Sequence, residues 1–269
     1  MKIEKLYDNI AETYNQKASA DVLSEANNTA FSLITREVQC LESLLALGVG
    51  DGVCLLPYKE RYPTSMFYGL DVSENMLQKA RALLNCQVYH GDIAKASSII
   101  KKNDFDLILA HFVCAYVPIS TTLGECKKIM SERGLISIVT NTLASFAKMQ
   151  DILQKMRKSP NPFSRLVSCH IKQALKTVYV PDNLDHLKSI FVSSGLTLHA
   201  SQLVEININL KTEKEVFEFF IDGGWFASGL MHPLVPKRVF HNIIKRLIHE
   251  HVRLPYEDSL QIAIAIGGK

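Results

Sequence analysis

Residues 44–52 read LLALGVGDG, and residues 65–77 read SMFYGLDVSENML. Each begins as a strand-sized apolar run and stops at a turn. The first run stops at Gly48, Gly50 and Gly52, which alternate with Val49 and Asp51. Glycines at such a turn let the backbone approach a ligand and leave N–H groups to bind it. The second run stops at Asp71, about 20 residues further on, where a carboxylate can hold ribose hydroxyls. Ser73 is placed to cap a helix over Glu74–Leu84, with Met76, Leu77, Ala80 and Leu84 on one face. Position 53 is Val, so the G-x-G-x-x-G loop that cradles a pyrophosphate is not present. A glycine turn with acids after the following strands suits a nucleoside without a pyrophosphate.

The same alternation extends in both directions. Upstream, Tyr7–Ala18 and Glu25–Cys40 carry helical spacing. Downstream, Cys86–His90 is a short strand before Gly91 and Asp92, and Asp106–Val113 is apolar enough for a buried strand. Ser120–Ser131 is predicted helical, with Gly134 marking its end, and Leu135–Asn141 is the next strand. Strands alternating with helices predict βαβ units and a mostly parallel sheet covered on both faces. After Asn141 the pattern changes. Leu143–Thr177 reads mainly helical with a break at Ser159–Pro162, and Asp182–Ser194 reads as a helix. Gly195–Leu210 and Ser259–Ile266 alternate as strands, and Thr212–Asp222 and Lys237–His251 read as helices between them.

In order and spacing, YGLDVSENMLQKARALL (68–84), VYHGDI (88–93), FDLILAHFVCAYV (105–117) and LISIVTN (135–141) resemble the class I S-adenosylmethionine-dependent methyltransferases. The opening YDNIAETYNQKA (7–18) is similar to that of many small-molecule members. The resemblance covers about residues 7–141. It implies an α/β, Rossmann-like fold: a mostly parallel seven-stranded sheet with an antiparallel last strand and a helical cap. It implies that the cofactor is S-adenosylmethionine, with S-adenosylhomocysteine as product, bound at the carboxyl ends of the strands. By that resemblance Gly48, Gly50 and Gly52 wrap the methionine part, Asp71 binds the ribose hydroxyls and Asp92 the adenine amino group. Ile93 lies beside the ring, and Val72 and Met76 flank its other face. His111 falls where the family faces the methionine and the substrate. Turn or cap chemistry is the plainer role for either acid taken alone.

The chain departs from the family at two positions. Two residues before the first glycine, where an Asp or Glu is usual, stands Ala46. That acid helps orient the loop and the cofactor's ammonium. Pro57 sits where the first sheet helix should run, which predicts a helix that starts late or is broken.

Methyl transfer needs nucleophile and methyl held close and dry, and a base only where the nucleophile must lose a proton. His111 interrupts an apolar strand at its carboxyl end and is the first polar candidate; a hydrogen-bonded structural histidine is the plainer alternative. Tyr7 and Tyr14, seven apart, would share a helix face on the segment that folds over the site in similar enzymes. His90 and Tyr116 are weaker candidates. His241, His249 and His251 form no closed ligand set, so no metal is expected.

The chain has 269 residues, a formal net charge of +3 and a hydrophobic share of 47%. That charge is too mild for a dedicated nucleic-acid binder. The N-terminus has no apolar signal core, and no run is long enough to span a bilayer. The six cysteines form no C-x-x-C pair and read as free thiols of a cytoplasmic protein. Oligomeric state is not encoded in any pattern here.

Between Leu143 and Val180, Lys148, Lys155, Arg157, Lys158, Arg165, Lys172 and Lys176 stand against Asp151 alone. Such a segment is a solvated face or a docking surface for an acidic partner. Lys211–Arg253 separates the last two strands and carries Phe217, Phe219, Phe220, Trp225, Phe226 and Met231. These side chains are core, or the apolar wall of a lid. Insertions of this kind are similar to those of malonyl-carrier-protein and small-acid methyltransferases. The expected organisation is 1–142 (N-terminal helices and cofactor half), 143–180 (basic helical insertion), 181–210 (core helix and strand), 211–254 (helical lid) and 255–269 (final strand). The expected activity is methylation of a small or carrier-bound molecule, a carboxylic acid oxygen being the favoured acceptor. The alternative is a non-catalytic protein of the same fold with weakened cofactor affinity.

Overall fold

Continuous apolar runs build a central sheet whose inner strands carry core on both faces. In the computed structural model, described here over residues 3–12, 14, 17–175, 178–225 and 237–269, the chain begins with α1 (Ile3–Ile10) and α2 (Lys17–Glu37). There follow β1 (Ser43–Leu47), α3 (Leu56–Arg61), β2 (Met66–Asp71), α4 (Glu74–Leu84), β3 (Gln87–His90), α5 (Ala96–Ile99) and β4 (Phe105–His111). The next elements are α6 (Ile119–Ile129), β5 (Met130–Asn141), α7 (Ala147–Arg157), α8 (Pro162–Leu175) and α9 (Leu184–Ser193). The chain closes with β6 (Thr197–Leu210), α10 (Glu213–Phe217), α11 (Lys237–His251) and β7 (Tyr256–Gly268).

The sheet has seven strands in the order β3-β2-β1-β4-β5-β7-β6. The pairs β2–β3, β1–β2, β1–β4 and β4–β5 are parallel, and β5–β7 is antiparallel. This is the Rossmann-like arrangement of class I methyltransferases. Alternation sends neighbouring residues to opposite faces. Leu45 and Leu47 of β1 join one buried cluster with Ile108 and Ala110 of β4, while Leu44 and Ala46 join another with Leu107 and Leu109. Strands buried on both faces read as unbroken apolar runs.

Two units of chain can be separated. One comprises residues 24–143, 179–204 and 261–269 and contains β1–β5 and both of those clusters. The other comprises residues 1–23, 144–178 and 205–260 and is mainly helical. Within the helical unit, Asp258 accepts from the N–H groups of Lys148 (3.3 Å) and Met149 (3.0 Å). It thereby satisfies orphan donors at the start of α7, where negative charge is favoured.

Four element readings need correction. The single helix expected over Tyr7–Ala18 is interrupted: α1 ends at Ile10, residues 11, 12 and 14 are turn, and α2 starts at Lys17. The helix expected to begin at Glu25 is the same α2, which begins eight residues earlier. Gly134 does not end α6, which stops at Ile129; it lies inside β5, where the register with β4 shifts between Phe105 and Leu107. A Cβ at Gly134 would lie 2.6 Å from the Phe105 carbonyl oxygen, so the glycine serves close backbone approach. Finally, the helix expected over Thr212–Asp222 is α10 followed by a π-helical turn over Glu218–Asp222.

Pro57 delays the first sheet helix. A 3₁₀ turn (Val53–Leu55) precedes α3, and the proline occupies the first turn of that helix, where its missing N–H costs nothing. Phe226, Met231 and Lys176 lie outside the described residues.

Candidate active site at the strand carboxyl ends

In the sheet, β1 sits between β2 and β4, and the chain order reverses there. Open parallel sheets bind ligands beyond the carboxyl ends at such a reversal. Gly48–Gly52 follow β1, Asp71 ends β2, Asp92 follows β3 and His111 ends β4. The topology therefore brings together the four groups that the sequence separates by more than sixty positions.

The glycine turn is held by its neighbours. Gly48 N–H and Val49 N–H both donate to the Leu70 carbonyl, at 2.7 and 3.1 Å. Gly50 N–H donates to Asp71 Oδ2 at 2.9 Å, and Ser73 N–H donates to Asp71 Oδ1 at 2.9 Å. One buried carboxylate thus ties the loop after β1 to the loop after β2. Gly48 has φ +67°, and a Cβ there would lie 2.5 Å from Val113 Cγ2, so only glycine lets the end of β4 close on the loop. Gly50 and Gly52 are also left-handed, at +56° and +85°.

Ala46 is 2% exposed and paired in the sheet with Gly69 and Leu109. No acid stands at that point of β1. The loop's anchoring carboxylate comes instead from β2.

The loops after β2 and β3 are equally well fixed. Ser73 Oγ accepts from Met76 N–H at 3.2 Å and caps α4, and Met76 is fully buried. His90 Nε2 lies 2.8 Å from the Val72 carbonyl oxygen, a donating N–H in that pair. Asp92 is exposed; its Oδ1 accepts from Ala94 N–H at 2.9 Å at the start of the 3₁₀ turn Ile93–Lys95. Ile93 is buried beneath it.

His111 is clamped at both ring nitrogens. Nδ1 lies 2.8 Å from Asn27 Oδ1 on α2, and Nε2 lies 2.9 Å from Ser137 Oγ on β5. The neutral tautomer with a proton on Nδ1 satisfies both, donating to Asn27 and accepting from Ser137. Burial pushes the ring pKa down to about 3. Next to it, Phe112 takes φ +56°, a conformation that is uncommon for a bulky residue and is stabilised here by its N–H donating to the Val139 carbonyl at 2.7 Å. Asn27 and Ser137 carry no local motif; they lie 84 and 26 residues from His111 and reach it only through the fold.

Tyr7 and Tyr14 belong to the helical unit, not to the unit that holds the glycine loop and His111. Their rings meet edge to face with centroids 5.9 Å apart, although a turn and not a helix joins them. Tyr116 follows β4 in a turn, its N–H donating to Val113. Among the described residues, no group of three or more His, Cys, Asp or Glu could hold a metal ion, and no helix is long and apolar enough to cross a membrane.

Residues 44–134 match a family model described as a methyltransferase domain. That stretch runs from β1 through the glycine loop, Asp71, Asp92 and His111 into β5.

Residues 44–134 carry the methyltransferase domain.

The fold of that domain recurs in a SAM-dependent methyltransferase from Geobacter sulfurreducens solved with S-adenosyl-L-homocysteine: TM-score 0.58 and 13% identity over 100% of this chain and 99% of that one. Two uncharacterised proteins of Rickettsia prowazekii are similar in sequence. One is 26% identical over 60% of this chain and 30% of its own length; the other is 28% identical over 42% and 48%. The matched stretches thus span less than half the length of either curated relative.

Proposed function

We propose that this methyltransferase domain binds S-adenosylmethionine and transfers its methyl group to a small or carrier-bound acceptor. The latch of Asp71 between Gly50 and Ser73 carries the reading, because it pre-forms the backbone cradle at the sheet's reversal point. Three left-handed glycines shape the turn and add no side chain of their own to it. The Geobacter sulfurreducens protein of the same fold is solved with S-adenosyl-L-homocysteine, which supports that choice of ligand.

The cofactor would supply an electrophilic methyl group. On this reading Gly48, Gly50 and Gly52 hold its methionine part. Asp71, which ends β2 beside the glycine turn, takes the ribose hydroxyls. Asp92 takes the adenine amino group, Ile93 packs on the base, and Val72 and Met76 close the other face. His111 is neutral and already partnered, so its part is to position rather than to take a proton. Tyr7 and Tyr14 serve the acceptor on this reading. A carboxylate acceptor needs no base, which suits a site whose histidine is occupied. The basic residues of 143–180, with an adjoining helical lid, favour an anionic acceptor.

Calorimetric titration of the purified chain with S-adenosylmethionine and S-adenosylhomocysteine tests this, after any carried-over ligand is removed. Micromolar binding that disappears in Asp71→Ala supports the enzyme reading. A folded chain that binds neither ligand at millimolar concentration overturns it and leaves a methyltransferase-fold interaction protein, the reading that Ala46 favours.

A further inference from the structure

The helical unit contains an apolar groove, half open to solvent, with about 520 Å³ of non-protein space when the solvent at its open side is included. From α7 it is lined by Met149, Ile152, Leu153 and Met156, at the i, i+3, i+4, i+7 spacing of one helix face. The π-helical turn adds Phe220 and Ile221, and α8, α10 and α11 supply further aliphatic side chains. No lining side chain carries oxygen or nitrogen, and only the Met149 and Met156 thioethers offer weak acceptors. Water inside would therefore lack partners, and a polar ligand would lose hydration without compensation. Met149 and Met156 bring the adaptable thioethers suited to a flexible guest. Ile152, Leu153 and Ile221 are half-buried and mark the mouth, while Met149, Met156 and Phe220 are buried and form the floor.

Charge selects the head of that guest. Lys148 and Lys155, both exposed, lie seven apart on one flank of the α7 lining face with Asp151 between them, and the Lys148 ammonium sits over the Tyr256 ring, 5.5 Å from its centroid. On α11, the Lys245 ammonium sits over the Phe217 ring, 5.2 Å from its centroid, next in the chain to the lining residue Ile244. We propose that this groove binds the hydrocarbon chain of a single-chain anionic amphiphile, with its head at those lysines. The inference stands on the helical unit alone, so it holds or fails separately from cofactor binding.

The chain provides its own reporter. Trp225, its single tryptophan, stacks on Phe219 at 5.8 Å, and Phe219 meets the lining residue Phe220 at 5.0 Å. Titration of the full chain with bromine-tagged dodecanoate should quench Trp225 saturably, one molecule per chain. Over the fatty acids from butyrate to dodecanoate, affinity should rise about threefold to fourfold per methylene. Leu153→Glu, at the mouth, should weaken dodecanoate at least tenfold. Lys148→Glu with Lys155→Glu should weaken dodecanoate several-fold and leave dodecanol unchanged. Non-saturable quenching, affinity independent of chain length, or Leu153→Glu binding as tightly as the parent overturns the proposal. If Leu153→Glu does not fold, the chain-length series on the unaltered protein decides alone.

Discussion

Asp71 does structural work that would be needed whether or not a ligand is present. Its two oxygens satisfy the N–H groups of Gly50 and Ser73, and it is 8% exposed. Removing it leaves two largely buried donors without partners, at a cost of about 2–4 kcal/mol. Asp71→Ala should therefore shift the urea midpoint strongly, whereas Asp71→Asn, which keeps one acceptor oxygen, should lose about half as much. Equal losses in the two variants would mean that the charge and not the latch stabilises the loop. His111 gives a pH-dependent prediction. Its folded pKa is about 3, against 6.5 for an unperturbed histidine. Above about pH 6.5 both folded and unfolded chains hold it neutral, and it adds no pH dependence. As pH falls from there towards 3, the unfolded chain takes up a proton that the folded chain refuses, so stability falls. Unfolding measured across that window should show an uptake of one proton more in the parent than in His111→Gln. An unchanged slope would place the charged form of His111 inside the fold.

At the scale of elements, α4 was legible in its bounds: Ser73 before Glu74, the apolar face at Met76, Leu77, Ala80 and Leu84, and the end at Leu84, where the structure adds Asn85 as a left-handed cap. All of that signal is local. Ser73→Ala removes the cap hydrogen bond to Met76 and should cost about 1 kcal/mol, read from thermal unfolding. A change under a few tenths would show that burial of this loop, not capping, sets where α4 begins. The strands β1 to β4 were legible for the same reason, as apolar runs; the run read over Asp106–Val113 outlasts β4, which ends at His111. What was not legible depends on partners far along the chain. The start of β5 at Met130 needs Phe105 opposite it, and Gly134 looks like a helix stop until that pairing is known. The clamp on His111 needs α2 and β5 in place, and no spacing rule connects Asn27 or Ser137 to it. The turn between α1 and α2 interrupts the helix face that the spacing of Tyr7 and Tyr14 predicts, yet their rings still meet.

Over the whole molecule, the chemistry of the six thiols follows from where the two units bury their chains. Cys114 and Cys126 lie in one sheet-face cluster and Cys86 in the other, where they pack as small hydrophobes. Burial pushes the Cys114 pKa up to about 12 and raises those of Cys126 and Cys86. Cys54 keeps some surface, but burial of its thiol, with Asp51 adding repulsion, pushes it up to about 12 as well. Cys40 and Cys169 are exposed, one in each unit. Because the thiolate is the reactive form, only those two should react quickly with a thiol reagent near neutral pH. Native protein should therefore show two fast equivalents per chain, and denatured protein all six. Since all six cysteines are free, a reductant should leave the melting temperature where it was. The unit assignment can be read from the same experiment. Cys169→Ser should remove one fast equivalent and Cys40→Ser the other, with the four slow thiols untouched. A third fast thiol in the native chain would have to come from Cys54, whose residue alone among the remaining four keeps surface, and would mean that the turn following Gly52 opens in solution. Because the same turn follows the cradle, addition of S-adenosylhomocysteine should then slow that third reaction, whereas the rates at Cys40 and Cys169 should not change.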